Sequence, residues 1–251
     1  MKEAALAQRF GDLHVLDERN GMHVRTGGSG ERTFALVHGI GASSVYFRPL
    51  AEELAKHGRV FLLELPGHGK NFEPKHPLSM AEFAEASWRA FDRFDAGQPM
   101  IVGHSMGCQV AVEMGIQRPD GPAVALLAPT VNDAEHSVPL QGLRLLQDTA
   151  REPWGVNGII TRDYLRCGVP WWLKTLKEMM AHRIEERAGL LERDVVIVGG
   201  ERDPIAPPEW LHRLGSRFRS ARVVVVQGAP HVMMYTDPAV VARILLEGAL
   251  L

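Results

Sequence analysis

Cysteine is scarce: Cys108 and Cys167 are the only two in the chain. Two thiols make no disulfide framework, and no C-x-x-C spacing offers a zinc or dithiol redox site. H-E-x-x-H is missing too, as is any close His/Asp ligand cluster, so no metal is expected. Charge of one sign is also lacking. Lys and Arg total 28 against 30 Asp and Glu, a formal charge of −2, and the basic residues are scattered. That balance argues against nucleic acid or an anionic membrane as partner and leaves a small molecule. No stretch approaches 18 uninterrupted apolar residues, so no membrane span is expected. The opening MKEAALAQRF carries charges and no apolar signal-peptide core, which makes the cytoplasm the expected compartment. Repeats and low-complexity tracts are absent as well.

What is present is an ordinary globular balance, 45% hydrophobic and 23% charged over 251 residues. That suffices for one large domain, as a monomer or homodimer. Short apolar runs at 13–16, 23–26, 33–37, 60–63, 100–102, 123–127, 195–198 and 222–226 read as strands. The first two, separated by the turn-prone segment 17–21, suit an antiparallel hairpin at a sheet edge. Helical patterns at 45–56, 80–94, 106–118, 209–217 and 238–250 alternate with the later strands. That alternation predicts an α/β fold with a mostly parallel central sheet flanked by helices. It lapses between Ala128 and Val195, an interval too long for a structureless loop. Its apolar content, with Trp154, Trp171, Trp172, Met179 and Met180, predicts a small helical cap. The expected division is a core of 1–130 and 186–251, with 131–185 inserted as the cap.

The sharpest local signal is Gly103-His104-Ser105-Met106-Gly107, a G-x-S-x-G between an apolar strand and a helical pattern. Such a tight strand–turn–helix lifts a serine hydroxyl to the N-terminus of a helix, where developing negative charge is favoured. The same pattern could be a glycine-rich turn that happens to hold serine. Two further loops decide between them. Strand 195–198 runs into Gly199-Gly200-Glu201-Arg202-Asp203-Pro204, and strand 222–226 runs into Gln227-Gly228-Ala229-Pro230-His231. Taken singly, Asp203 is a turn former before proline and His231 a loop histidine. Together they supply an orienting acid and a base at strand carboxyl ends, in the chain order Ser, Asp, His. Asp133 and Glu135, after the preceding strand, are alternative acids with a poorer strand-end context. Upstream, strand 33–37 leads into His38-Gly39-Ile40-Gly41-Ala42-Ser43. A glycine-flanked loop there can turn a backbone N–H towards an acyl oxygen, joining that of Met106. G-x-G turns are common, so this loop alone proves little.

These segments together resemble the α/β-hydrolase superfamily over roughly residues 20–250. His38-Gly39-Ile40-Gly41 is similar to its HGxG oxyanion segment, Pro66-Gly67-His68-Gly69 to its PGxG turn, and 103–107 to its nucleophile elbow. The resemblance implies Ser105 as nucleophile, Asp203 as acid, His231 as base, and the N–H groups of Ile40 and Met106 as oxyanion donors. It implies no cofactor. Glu64 departs from the pattern, since relatives usually carry aspartate there; the position reads as structural. The three histidines inside the motifs, His38, His68 and His104, read as holders of loop geometry.

The implied activity is hydrolysis of a carboxylic ester of a small to medium apolar substrate, with Trp154, Trp171, Trp172 and Met234 as candidate pocket residues. Lactone, thioester or C–C bond hydrolysis on the same triad is the alternative. His231 is followed by Val232-Met233-Met234 and not by the tryptophan frequent in C–C hydrolases, which favours esters. A non-catalytic binding protein of the same fold is a more distant alternative, since no triad residue is lost. A dinucleotide-binding oxidoreductase would use Gly39-Ile40-Gly41 and Glu64, but Ser44 stands where its third glycine belongs.

Overall fold

A computed structural model describes residues 11–15, 22–149 and 154–248. Eight strands form one sheet: β1 (Gly11–Val15), β2 (Met22–Gly27), β3 (Thr33–Val37), β4 (Arg59–Leu63), β5 (Met100–His104), β6 (Val124–Leu127), β7 (Val195–Gly200) and β8 (Ala221–Val226). Their order is β1-β2-β4-β3-β5-β6-β7-β8. β1 pairs antiparallel with β2, and β2 antiparallel with β4. Every other pairing is parallel. The expected edge hairpin is therefore present in its pairing, with Leu13 opposite Val24. The turn at 17–21 lies outside the described residues.

Burial explains why the central strands read as unbroken apolar runs. Every residue of β3, β5, β6 and β7 is buried, as a parallel sheet covered on both faces requires. The edge strand β8 begins with two exposed residues. The covering helices are α1 (Arg48–Leu54), α2 (Met80–Phe91), α3 (Met106–Gln117), then α4 (Val138–Thr149), α5 (Trp154–Cys167), α6 (Val169–Ala181) and α7 (Ile184–Arg187), followed by α8 (Pro208–Gly215), α9 (Met233–Thr236) and α10 (Pro238–Gly248). Helix α2 starts at a complete capping box, with Ser79 and Glu82 each bonding the other's backbone N–H. Among the described residues the interval between β6 and β7 holds helices and no strand. Helix α7 crosses the boundary expected at residue 185 and contacts α3.

Glu64 sits at the end of β4, 1% exposed and ion-paired with Arg25, itself 1% exposed. It also accepts from Ser44 Oγ at 2.8 Å and from the Lys70 N–H at 3.1 Å. The longer carboxylate leaves no space beside it: a Cβ on Gly69, at φ 58°, would overlap the Glu64 carboxyl. Glu64 thus ties the segments that carry Ser44 and Lys70 together, and removing one partner of its buried pair with Arg25 would leave an uncompensated charge. No helix among the described residues is long and apolar enough to cross a membrane.

Candidate active site

Ser105 occupies the turn between β5 and α3 at φ 56°, ψ −122°. A left-handed φ on a residue with a Cβ costs about 1–3 kcal/mol, and such strain persists where the surroundings enforce it. Here they do. The Ser105 N–H donates to Leu127 O at 3.0 Å, and its carbonyl accepts from the Cys108 N–H at 3.0 Å. On either side the backbone passes too closely for any side chain. A Cβ on Gly103 would lie 2.3 Å from Gly107 O, and one on Gly107 2.2 Å from Val37 O. The two glycines are thus the condition for the turn. Cys108 is buried, with its Sγ 3.3 Å from Gly103 O and 3.2 Å from Leu127 O. Burial pushes its thiol well above the usual range, so it is packing and not a reactive thiolate.

Asp203 and His231 meet across the loops that leave β7 and β8. Asp203 Oδ2 lies 2.7 Å from His231 Nδ1. Its other oxygen, Oδ1, accepts from the N–H groups of Ile205 and Ala206 at 2.8 and 3.0 Å. With Asp203 only 3% exposed and both oxygens occupied, the carboxylate has one orientation. A carboxylate accepts, so Nδ1 carries the imidazole proton and Nε2 is left as the basic nitrogen. The alternative acids are engaged elsewhere. Asp133 accepts from Arg213 at 2.7 Å and Glu135 pairs with Arg144.

The loop after β3 runs beside the serine: a Cβ on Gly39 would be 3.0 Å from Ser105 Cβ and 3.5 Å from its Oγ. His38 fixes that loop. Its Nε2 accepts from the Leu65 N–H at 2.9 Å, so Nδ1 bears the proton and donates to Gly39 O at 2.8 Å. In a planar trans peptide the Ile40 N–H points opposite to the Gly39 carbonyl. Holding one therefore aims the other.

A cavity of about 150 Å³ opens over Ser105. The core contributes Ile40, Ser105 and Ile205 to its wall, and the helical interval contributes Val138, Trp172 and Met179. The lining is mostly apolar.

Residues 34–244 match the Alpha/beta hydrolase family. The chain belongs to that family. It is similar to a pimeloyl-[acyl-carrier protein] methyl ester esterase of Xanthomonas campestris pv. campestris, at 27% identity over 84% of this chain and 91% of that protein. It is similar at 28% identity to the esterase so named in Neisseria meningitidis serogroup B, over 86% of this chain and 93% of that one. Among solved structures, an enol-lactonase from Burkholderia xenovorans superposes with a TM-score of 0.80, 18% identity, and coverage of 94% of this chain and 98% of that one.

Of the expected pocket residues whose side chains are described, only Trp172 reaches the cavity of this hydrolase. Trp171 is 1% exposed and packs on Gly67, where a Cβ would lie 2.1 Å from its Nε1. Adjacent helical positions diverge by about 100°, so two consecutive tryptophans cannot line one wall. Met234 is fully buried in α9, which packs against α1 and α10. The Trp154 side chain lies outside the described residues. Sequence reasoning missed Thr130, Val138, Gln141, Leu176 and Ile205. Only Ile205, two residues past Asp203, carried a local hint. Among the described residues no group of three or more His, Cys, Asp or Glu could hold a metal ion.

The motif histidines make the hydrolase acid-sensitive. Burial lowers His38 to about 4 and His68 to about 3, whereas the unfolded chain takes up those protons near 6.5. Between these values the unfolded state binds more protons, so stability falls as pH falls. It is complete above about pH 6.5, and His38 alone removes roughly 3 kcal/mol by pH 4. Thermal melts from pH 7.5 to 4.5 should show a steep decline in Tm. A flat profile would contradict buried neutral histidines.

Proposed function

We propose that this hydrolase cleaves carboxylic esters of small to medium apolar substrates through an acyl-enzyme on Ser105. The observation that carries the reading is the strained Ser105 at the floor of an apolar cavity. The Asp203–His231 pair at 2.7 Å supports it, and so do relatives named as methyl ester esterases over most of their length.

In this scheme Ser105 Oγ attacks the acyl carbon while His231 Nε2 takes its proton. The N–H groups of Ile40 and Met106 receive the charge on the acyl oxygen, at the N-terminus of α3. The tetrahedral intermediate collapses, and the alcohol leaves with the proton held by His231. Water, deprotonated by His231, then attacks the acyl-serine and returns Ser105 as a free hydroxyl. No cofactor enters any step. Residues 131–185 act as the cap, with 1–130 and 186–251 as the catalytic core.

Cavity size sets the substrate range. About 150 Å³ is well below the roughly 300–1,000 Å³ of pockets that take drug-sized ligands. Each methylene buried adds about 0.8 kcal/mol, close to fourfold in kcat/KM, until the wall is reached. On p-nitrophenyl esters kcat/KM should rise from acetate into the butyrate-to-hexanoate range and fall for longer chains. A panel of esters, thioesters, lactones and diketones tests the reaction class, with esters expected to turn over fastest. A series declining from acetate, or turnover confined to diketones, would refute this reading.

A further inference from the structure

His104 and Tyr46 stand just behind the reacting groups and take no part in the scheme above. Tyr46 lies in the short 3-10 turn Ser44–Phe47 after β3, and His104 ends β5 immediately before Ser105. They are 1% and 3% exposed. The Gly39 N–H lies 2.8 Å from Tyr46 Oη, which in turn lies 2.8 Å from His104 Nδ1. His104 Nε2 lies 3.1 Å from the His231 carbonyl oxygen.

Hydrogen-bond chemistry gives this chain one direction. A backbone N–H can only donate and the His231 carbonyl can only accept. The Tyr46 oxygen therefore accepts from Gly39, the neutral His104 ring carries its proton on Nε2, and the Tyr46 proton goes to Nδ1. An accepting Nδ1 carries no proton, which leaves it on Nε2, and Nε2 donates to the His231 carbonyl. Burial supports the required proton states, holding His104 well below and Tyr46 well above their usual ranges. The rings pack as well, with centroids 5.3 Å apart for Tyr46–His104 and 4.8 Å for His104–His231.

Both ends of the chain matter for catalysis. Gly39 precedes Ile40, whose N–H is the proposed oxyanion donor, and His231 is the proposed base. The two loops come from opposite ends of the sequence, and Tyr46 and His104 connect them. We propose that Tyr46 and His104 are positioning residues, forming one relay from the Gly39 N–H to the His231 carbonyl that keeps the oxyanion loop and the base loop in register. This rests on the triad and oxyanion reading given above. A misplacement of about 1 Å in such a constellation can cost on the order of 100-fold in rate without weakening substrate binding.

Tyr46→Phe removes the hydroxyl and keeps the ring. His104→Leu fills a similar volume and removes both ring nitrogens, the donor to the His231 carbonyl and the acceptor for Tyr46. With p-nitrophenyl butyrate each should lower kcat by about 10- to 100-fold while KM stays within about threefold. Because the relay acts as a unit, the double variant should be no more than about threefold worse than the poorer single variant. Single variants within about threefold of wild-type kcat, losses that multiply, or a loss carried by KM would each overturn the proposal. If a variant does not fold, imidazole ¹⁵N NMR of the wild-type protein decides the matter. His104 must remain neutral with its proton on Nε2 from about pH 5 to 9, across the range in which an ordinary histidine titrates. A His104 that titrates there, or is protonated on Nδ1, overturns the relay. Ser105→Ala run in parallel separates the two readings: full hydrolysis by that variant removes the proposed function, while the tautomer measurement still tests the relay.

Discussion

Ser105→Ala should lower kcat by on the order of 10⁶-fold and leave the fold intact. The residual rate would come from substrate binding and the proposed oxyanion donors, which the substitution does not touch. The fold should survive because the groups that enforce the turn are backbone groups and glycines: Leu127 O, Cys108 N, Gly103 and Gly107. Alanine carries the same Cβ into the same left-handed φ, so the strain is unchanged. A fluorophosphonate probe should label wild-type protein at Ser105 and leave the variant unlabelled. Labelling at another residue, or a variant within tenfold of wild type with an unaltered melting curve, would remove Ser105 from the mechanism.

The second large effect is expected at Asp203. Asp203→Asn is nearly isosteric, so one amide oxygen can still accept from Ile205 and Ala206, which now hold Asp203 Oδ1 at 2.8 and 3.0 Å. The amide nitrogen is then turned towards His231 Nδ1. An NH₂ group donates, so it favours the tautomer with the proton on Nε2, where no proton from serine can be taken. A loss of about 10⁴ in kcat follows, with little change in stability or KM. Asp133→Asn makes the contrast. It weakens an ion pair to Arg213 in which Asp133 remains 25% exposed, a kind of contact worth about 0–1 kcal/mol, and leaves kcat within about twofold. If the two variants rank the other way, the acid belongs on the loop after β6.

The two variants differ in how far their chemistry could be read from the chain alone. Sequence placed Ser105, Asp203 and His231 in three separate strand-end loops, because each loop carries its own punctuation. Gly103 and Gly107 frame one, Gly199-Gly200 another, and Gly228 with Pro230 the third. It could not show that both Asp203 oxygens are occupied, since the Ile205 and Ala206 N–H groups are generic backbone until the loop folds. Nor could it rank Asp133 below Asp203 by anything firmer than context. Arg213, which holds Asp133, lies 80 positions further on.

Glu64 shows the same boundary. Its departure from the family pattern is visible in the sequence, and so is its place after an apolar strand. Of its partners, Arg25 is a neighbour because β2 lies antiparallel beside β4, and Ser44 because β3, whose following turn carries it, lies parallel on the other side of β4.

The sequence by itself determined the α/β alternation, the antiparallel edge hairpin, the helical interval between β6 and β7, and the family. All of these rest on local periodicity and on short motifs whose residues are adjacent in the chain. Tertiary structure alone decided which of the expected pocket side chains line the cavity, bringing Trp172 in and sending Trp171 to Gly67 and Met234 into the core. It alone also joined Gly39, Tyr46, His104 and His231 into one hydrogen-bonded chain. The physical reason is the same in both cases. A periodicity states that a residue is apolar or placed on a face, whereas a wall or a relay depends on distances between elements far apart in sequence. Those distances exist only once the parallel sheet has brought the loops to one edge.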